Sequence, residues 1–243
     1  MAFHRAMTCV QFDPMKLSIV LPCYNEEANI RATIDEVLAW CASQPFACEI
    51  IAVDDGSRDA TPVILGEMSA THPSIRIVRH RENGGYGRAV RSGCDAATGE
   101  WISFMDSDGQ FRIADLALLL PYLTDYAFVT GRRRRRADPL PRVLYGKVLA
   151  FFNLVVFGMW IRDVNCGLKV FRSAIWQTIR PEHGIEKLFN AEMFLRLKRA
   201  NIAWKQIAVP HYPRRAGMQT GASGRALHRM INEVKTLRKA MRG

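Results

Sequence analysis

The sequence predicts an α/β domain in which a mainly parallel sheet is flanked by helices. Strand-like and helix-like segments alternate across residues 17–120, which is the pattern of βαβ units. Three predicted strands end in acidic or amide-bearing turns, and parallel sheets bind ligands at the carboxyl ends of their strands. The chain has 243 residues, of which 49% are hydrophobic, so one domain has ample material for a core.

Each element has a local signal. Ile30, Ile34 and Val37 recur with helical spacing after Asn25, which we expect to be the N-cap of the first helix. The predicted strands are Leu17–Leu21, Glu49–Val53, Ile75–Val78 and Trp101–Met105, and the predicted helices are Glu27–Ser43, Thr61–Ala70 and Arg88–Ala97. We expect residues 1–16 to be a loose leader, 17–225 to form the domain, and 226–243 to form a basic helix.

The turn after the fourth strand carries two carboxylates, Asp106 and Asp108, directly beyond a buried segment. Unpaired carboxylates at that depth are costly, and hard oxygen ligands on a turn suit Mg²⁺ or Mn²⁺. An ordinary turn is the alternative interpretation, since Asp, Ser and Gly all favour turns. The turns at Tyr24-Asn25-Glu26 and Asp54-Asp55 end two other strands. In a parallel sheet, all three turns would converge on one crevice.

The formal net charge of +11 is unevenly distributed. Five arginines follow one another at Arg132–Arg136, and from Arg196 onward there are 12 Lys or Arg residues and one acid, Glu233. Such clustering indicates an anionic partner, which could be nucleic acid, a phospholipid surface or a phosphorylated substrate. A solvated basic face is the alternative.

Several protein classes are disfavoured. The glycine-rich loop Asn83–Gly87 follows the third strand and lacks the G-x-G-x-x-G spacing, and no Walker A motif occurs. A redox Rossmann domain that binds a dinucleotide is therefore disfavoured. The six cysteines form no C-x-x-C pair, which is typical of reduced thiols in a cytosolic protein. No signal peptide is predicted, and no run reaches the roughly 18 apolar residues of a membrane span.

Residues 144–161 form a long apolar segment, and two interpretations stay open. A stretch of this length is often a core helix. However, Phe151, Phe152, Phe157 and Trp160 follow a basic region, and aromatic and basic residues together favour an anionic membrane surface.

Taken together, the motifs resemble those of family-two glycosyltransferases of the GT-A (Rossmann-like) fold. The branch that makes polyprenyl-phosphate sugars, such as the dolichol-phosphate mannosyltransferases, is the most similar. The resemblance covers about Leu17–Gly224 and rests on the segments LSIVLPCYNEEANI, IIAVDDGSRDAT, NGGYGRAVRSG, FMDSDGQF, TGRR, DVNCGLKVFR, FNAEMFLR and VPHYPRRAG.

The resemblance implies a role for each matching residue. The nucleotide-sugar site would include Pro22, Tyr24, Asn25, Glu26, Val53, Asp55 and Gly87. Asp106, Ser107 and Asp108 would contact the diphosphate and hold Mg²⁺ or Mn²⁺, with Gln110 completing the metal site. Arg132 and Arg214 would bind phosphates, while Asp163 and Glu192 would lie near the sugar and the acceptor. Thr220 departs from the pattern, because the mannosyltransferases have a lysine there.

The implied function is inverting transfer of a sugar from a nucleoside diphosphate sugar, of the GDP-mannose or UDP-glucose type, to a polyprenyl or dolichyl phosphate. The protein would lie peripherally on the cytoplasmic membrane face. A lipid phosphate is already anionic and needs cations rather than a base, whereas a hydroxyl acceptor needs a carboxylate base such as Asp163 or Glu192. The arginine surplus favours the phosphate.

Two other functions stay open. The first is a soluble family-two transferase that acts on a saccharide or a small-molecule hydroxyl. The second is a non-catalytic anion-binding or nucleic-acid-binding protein on a transferase-like fold. Nucleic acid is disfavoured because the acidic pair would repel phosphates and because Arg132–Arg136 contains no interleaved aromatic residue.

Overall fold

The computed structural model describes residues 16–134, 158–159, 161–184 and 188–214. Within these ranges seven strands form one sheet: β1 Lys16–Cys23, β2 Ala47–Asp54, β3 Ile75–Arg79, β4 Trp101–Phe104, β5 Phe128–Arg133, β6 Lys169–Arg172 and β7 Trp204–Val209. The α-helices are α1 Ile30–Ala42, α2 Thr61–Thr71, α3 Tyr86–Ala96, α4 Trp176–Ile179 and α5 Phe189–Arg199. Short 3-10 helices lie at Ile113–Leu118, Leu120–Tyr122 and Ser173–Ile175.

The sheet is mainly parallel, as predicted. Its strand order is β3-β2-β1-β4-β6-β5-β7. β6 is antiparallel to both of its neighbours, β4 and β5, and every other pairing is parallel. The remaining six strands therefore run in the same direction. Their carboxyl ends, together with the amino end of β6, lie along one side of the sheet, which we call the carboxyl edge.

Alternate residues of β1 enter two cores on opposite faces of the sheet. Ile19 and Leu21 pack with the apolar residues of α1 and α2, while Val20 packs with those of α3 and α5. Gly93 lets α3 approach the sheet closely, because a Cβ at this position would lie 2.2 Å from Val20 Cγ1. The helices thus cover both faces and leave the carboxyl edge for other contacts.

The start of the first helix differs from the prediction. We expected Asn25 to be the N-cap, but α1 begins at Ile30 and its N-cap is Asn29. Asn25 instead has a positive φ of 53°, and its side chain accepts a hydrogen bond from the backbone N–H of Arg58 at 2.8 Å. The prediction was wrong because the Asn25 side chain, which would have capped the helix, is hydrogen-bonded to the loop after β2 instead.

The other predicted elements are present with shifted ends. β2 and β3 extend beyond the predicted ranges, β4 ends one residue earlier, and α3 begins at Tyr86 rather than Arg88. Five cysteines, Cys23, Cys41, Cys48, Cys94 and Cys166, are free thiols.

Some predictions lie outside the described residues. These are the leader apart from Lys16, the last two arginines of the Arg132–Arg136 run, nearly all of segment 144–161, Thr220, and the basic helix 226–243. In the part of the chain that the structure describes, no helix has the length and apolar character needed to cross a membrane.

Candidate active site at the carboxyl edge

The carboxyl edge collects most of the residues that the sequence singled out. Asp55 follows β2, Asp106 and Asp108 follow β4, and Arg132 lies near the end of β5. The chain after β7 reaches Arg214, which contacts residues at the ends of two central strands. Residues that are up to 188 positions apart therefore meet at one edge.

The Asp106–Asp108 turn is fastened to its neighbours by hydrogen bonds. The Ser107 hydroxyl donates to the carbonyl oxygen of Pro22 at 2.6 Å, and the Thr33 hydroxyl donates to the carbonyl oxygen of Ser107 at 3.3 Å. Asp108 Oδ1 accepts the backbone N–H of Gln110 at 3.0 Å. Ser107 thus holds the turn, while the two carboxylates project from it.

Asp106 lies in an environment that disfavours its charge. Its Oδ1 is buried and has no hydrogen-bond partner among the described residues, and the Tyr86 hydroxyl lies near the carboxylate. Burial, reinforced by the charge of Asp108, raises the pKa of Asp106 to about 6. The backbone of Gly167 lies against this carboxylate, because a Cβ at Gly167 would be 2.1 Å from Asp106 Oδ2. A buried carboxylate oxygen without a partner, beside a second carboxylate, fits a divalent cation.

This environment predicts that Asp106→Asn stabilises the protein in the absence of metal. The folded-state pKa of about 6 exceeds the ordinary pKa of an aspartate, 3.8, so ionisation opposes folding. The favourable contribution of the protonated group is complete below about pH 4 and is lost as the pH rises through 6. We expect Asp106→Asn to raise the free energy of unfolding by on the order of 1–3 kcal/mol at pH 8, and by little at pH 4.

Urea unfolding at both pH values, with EDTA present, checks this prediction. Asp125→Asn, which changes an exposed carboxylate, is the control and should change stability little at either pH. An Asp106→Asn effect of the same size at pH 4 and pH 8 would show that the charge of Asp106 is not its cause.

Arg214 bridges two acids of the site. Its Nη2 donates to Glu26 Oε1 at 2.5 Å, and its Nη1 lies 3.9 Å from Asp108 Oδ2. Asn29 donates to the other oxygen of Glu26 at 2.6 Å. Burial raises the pKa of Glu26. Because one guanidinium contacts both carboxylates, it is placed to contact an anion that binds beside Asp108.

The predicted nucleotide residues occupy different environments. Tyr24 is half-buried, whereas Pro22 and Gly87 are buried. Val53 is fully buried in the core beneath α3, so its side chain does not line an open surface. Asp55, also buried, accepts hydrogen bonds from His80 and from the backbone N–H groups of Gly84 and Gly85.

The two carboxylates considered as bases are bound to groups of the protein itself. Asp163 accepts two hydrogen bonds from the Arg133 guanidinium, at 2.6 and 2.8 Å, and a third from the Arg133 backbone N–H at 3.0 Å. Glu192 is completely buried. It accepts the backbone N–H groups of residues 182, 183 and 184 at 2.9, 2.9 and 2.7 Å, and Arg196 at 2.9 Å. This geometry gives Glu192 the role of an anchor for residues 182–184.

We therefore expect Glu192→Ala to destabilise the fold. The change would leave three backbone N–H groups and the Arg196 guanidinium without their buried acceptor, a loss of about 3 kcal/mol or more. Glu182→Ala is the matched control, because the Glu182 side chain pairs with the same Arg196 at 3.2 Å but is 57% exposed. Its cost should stay within about 1 kcal/mol. Equal unfolding free energies for the two variants in urea titrations would contradict this role.

Three site residues were not identified from the sequence. Tyr86 contacts Asp106, and His80 contacts Asp55. Lys169 is completely buried, donates to the carbonyl oxygen of Cys166, and has its pKa lowered to about 8 by burial. The available signal for Lys169 was a lysine within an apolar strand, because such a residue is almost always paired when buried.

The metal-binding potential of the edge rests on the acidic pair. Among the described residues, no group of three or more His, Cys, Asp or Glu side chains could hold a metal ion. Asp106 and Asp108 would provide two carboxylate ligands, and Mg²⁺ commonly takes one or two such ligands together with substrate phosphates. The residues thus fit a cation that binds with a phosphorylated ligand.

The known proteins that this chain resembles are glycosyltransferases. A family model described as Glycosyl transferase family 2 matches residues 18–178. The chain is 32% identical over 179 residues to a dolichyl-phosphate beta-glucosyltransferase of Trichomonas vaginalis, covering 66% of this chain and 54% of that protein. It is 30% identical over 222 residues to the human dolichyl-phosphate beta-glucosyltransferase, covering 79% and 68%.

A bacterial relative has a different sugar in its name. The chain is 28% identical over 208 residues to a dodecaprenyl-phosphate galacturonate synthase of Rhizobium johnstonii, covering 84% of this chain and 61% of that protein. The chain spans about half to two thirds of the length of the curated relatives that it matches.

Solved structures show the fold. Mannosyl-3-phosphoglycerate synthase of Rubrobacter xylanophilus superposes with a TM-score of 0.70 at 19% identity, covering 96% of this chain and 80% of that one. Glucosyl-3-phosphoglycerate synthase of Mycobacterium tuberculosis, solved with Mn²⁺, UDP and phosphoglyceric acid, gives a TM-score of 0.64 at 19% identity, covering 90% and 78%. The predicted GT-A fold is confirmed.

Proposed function

We propose that this chain, which belongs to glycosyl transferase family 2, transfers a sugar from a nucleoside diphosphate sugar to a polyprenyl phosphate. The names of its curated relatives support this reaction class, since they are polyprenyl-phosphate sugar transferases. The site supports it through an acidic pair and an arginine that meet at the carboxyl edge. Glucosyltransferases among the relatives, and UDP in a solved neighbour, make UDP-glucose the first donor to test.

In this proposal the acidic pair holds a divalent cation together with the donor diphosphate. Asp106 and Asp108 would be its protein ligands, and Gln110 would support the site from the end of the same turn. A bound Mg²⁺ or Mn²⁺ would neutralise the negative charge that develops on the leaving nucleoside diphosphate. Asp106 must give up its proton to act as a ligand, so cation binding weakens as the pH falls below about 6.

The cationic residues bring two anions together. Arg214 is already 3.9 Å from Asp108, and Arg132 lies near the end of β5 on the same edge. Planar guanidinium groups bind phosphate oxygens in pairs, so they reduce the repulsion between a donor diphosphate and an acceptor phosphate. These residues hold and orient the anions and transfer no proton.

The environments of Asp163 and Glu192 favour a phosphate acceptor over a hydroxyl acceptor. A hydroxyl acceptor needs a base within hydrogen-bond reach of the proton that it loses. Asp163 is held by Arg133 at both oxygens, and Glu192 is completely buried and accepts four groups of the protein. A phosphate acceptor needs no such base, because its oxygen is already anionic near neutral pH.

We also propose that the protein acts peripherally at a membrane surface, where a polyprenyl phosphate resides. The support is compositional: the arginine run and the aromatic residues of segment 144–161 combine charge with apolar area. We expect Phe151→Ser with Phe152→Ser to weaken binding to anionic vesicles, and raised salt to weaken it further. Vesicle flotation measures this, and equal binding to neutral and anionic vesicles would remove the electrostatic part of the proposal.

A donor and acceptor panel tests the reaction. Purified protein would be incubated with Mn²⁺ or with EDTA and with UDP-glucose, GDP-mannose or UDP-galacturonate, using a short prenyl phosphate as the acceptor. We expect metal-dependent transfer of one sugar, detected by mass spectrometry of the glycolipid. Sugar transfer to a saccharide but not to the prenyl phosphate would replace this proposal with the hydroxyl-acceptor alternative.

A further inference from the structure

The buried Asp55 carboxylate accepts hydrogen bonds from the backbone of the glycine-rich loop Asn83–Gly87. Its Oδ2 accepts the backbone N–H of Gly85 at 2.8 Å, and the backbone N–H of Gly84 lies 3.0 and 3.1 Å from its two oxygens. The loop also closes over Gly56, where an added Cβ would lie 2.6 Å from the carbonyl carbon of Glu82. Asp55 therefore determines where the backbone of the loop runs.

His80 orients this carboxylate. Its Nδ1 lies 2.6 Å from Asp55 Oδ1, and its Nε2 lies 2.9 Å from the hydroxyl of Ser92 on α3. The side chains of His80 and Asp55 are only 7% and 3% exposed. A buried pair of hydrogen bonds at both ring nitrogens fixes the ring, and the ring in turn fixes the carboxylate.

The loop leads directly to Asp106. Gly85 has a φ of 88°, a conformation that favours glycine, and it turns the chain into α3. The first residue of α3 is Tyr86, whose hydroxyl interacts with the Asp106 carboxylate and whose ring packs edge-on against Phe189 with a centroid distance of 6.2 Å. The position of the loop therefore sets the position of the Tyr86 hydroxyl beside a proposed metal ligand.

We infer that Asp55, His80 and Tyr86 form a positioning network in which the glycine-rich loop transmits the orientation of His80 to the Asp106 carboxylate. His80 and Tyr86 are positioning residues, because they act through Asp55 and Asp106. The inference rests on the proposed function, since it assigns Asp106 to a cation that binds with a nucleoside diphosphate. It adds two residues, His80 and Tyr86, and couples the ends of β2 and β4 through the glycine-rich loop.

The first experiment measures binding rather than turnover. Isothermal titration would give the dissociation constant of Mn²⁺ at saturating UDP for the wild type, Tyr86→Phe and His80→Leu. Removal of an outer hydrogen-bond partner of a metal ligand costs about tenfold or more in metal affinity, and we expect this for both variants. Tyr86→Phe removes one oxygen and keeps the ring against Phe189, so its thermal midpoint should stay near that of the wild type.

Conservative variants at His80 separate orientation from bulk stability. An Asn side chain places an amide nitrogen near the position of Nδ1, while a Gln side chain places one near Nε2. We expect His80→Asn to retain Mn²⁺ affinity within about threefold and His80→Gln to resemble His80→Leu, since the bond to Asp55 is the one that transmits orientation. Full retention by His80→Gln, with loss in His80→Asn, would overturn the network.

A double-mutant cycle tests the path. If His80 acts on the cation through the loop and Tyr86, His80→Leu should lower Mn²⁺ affinity about tenfold in the wild type and little in the Tyr86→Phe background. Additive losses would overturn the inference, as would unchanged affinities in both single variants. Failure of the wild type to bind Mn²⁺ with either UDP or GDP would instead overturn the proposed function, and the network with it.

Discussion

Asp108→Ala should reduce sugar transfer by about a thousandfold or more while the fold stays intact. In the proposed reaction, negative charge develops on the leaving diphosphate, and Asp108 is one of the two carboxylates that would hold the neutralising cation. The side chain is 16% exposed and stands on a turn whose attachment to the sheet runs through Ser107. Its replacement therefore removes a proposed ligand and one hydrogen bond within the turn, from the Gln110 backbone N–H, while the attachment through Ser107 remains.

Steady-state kinetics with labelled donor would measure the loss, and circular dichroism would confirm the fold. Asp108→Asn is the informative companion, because it keeps the shape of the side chain and removes only the charge. Asp125→Ala, an exposed carboxylate on another turn, is the control and should transfer sugar at the wild-type rate. Near-normal turnover of Asp108→Ala would show that the cation, if one is used, is held elsewhere.

Elements with local signals could be predicted well from the sequence. The first four strands and three helices carry their own periodicity and turn residues, so their positions were correct to within a few residues. The insertion of β6 between β4 and β5 could not be predicted. It depends on pairings such as Phe104 with Lys169, which join residues distant in the chain and have no local signature.

The candidate site, like the fold, could be predicted from the sequence only in part. Asp106 and Asp108 were identifiable because a pair of carboxylates beyond an apolar strand is chemically unusual in itself. The partners that control them were not identifiable. Tyr86 reads as part of a glycine-rich loop, and the contact between Arg214 and Glu26 spans 188 positions. Only the fold reveals that Asp163 and Glu192, which the resemblance placed near the acceptor, are held by groups of the protein itself.

The second large effect concerns the acceptor, and two arginines decide it. We expect Arg214→Ala and Arg132→Ala each to reduce transfer to a prenyl phosphate by more than the tenfold to hundredfold that corresponds to about 1.5–3 kcal/mol for one charged hydrogen bond. The excess arises because two phosphate-bearing substrates would then face each other with less positive charge between them. Arg214→Ala would also leave Glu26 and Asp108 without the guanidinium that now lies between them.

Arg76→Ala is the matched control for both variants. Arg76 lies near the amino end of β3, on the opposite side of the sheet, and is 50% exposed. It also carries a positive charge, so an effect of net charge alone would appear in all three variants. Arg214→Lys keeps the charge and loses the planar fork, and we expect it to recover only part of the activity.

The acceptor itself provides the sharpest comparison. A water-soluble prenyl phosphate should be glycosylated and the matching prenyl alcohol should not. The reason is that Asp163 and Glu192, the two carboxylates considered as bases, are both bound by groups of the protein and are not available to remove a hydroxyl proton. Initial rates for the two acceptors, measured with the same donor and protein, decide between the two transferase functions. If the alcohol is glycosylated as fast as the phosphate, a base must act. Asp163 would then be the first residue to replace, since release from Arg133 is the smaller rearrangement compared with opening the buried environment of Glu192.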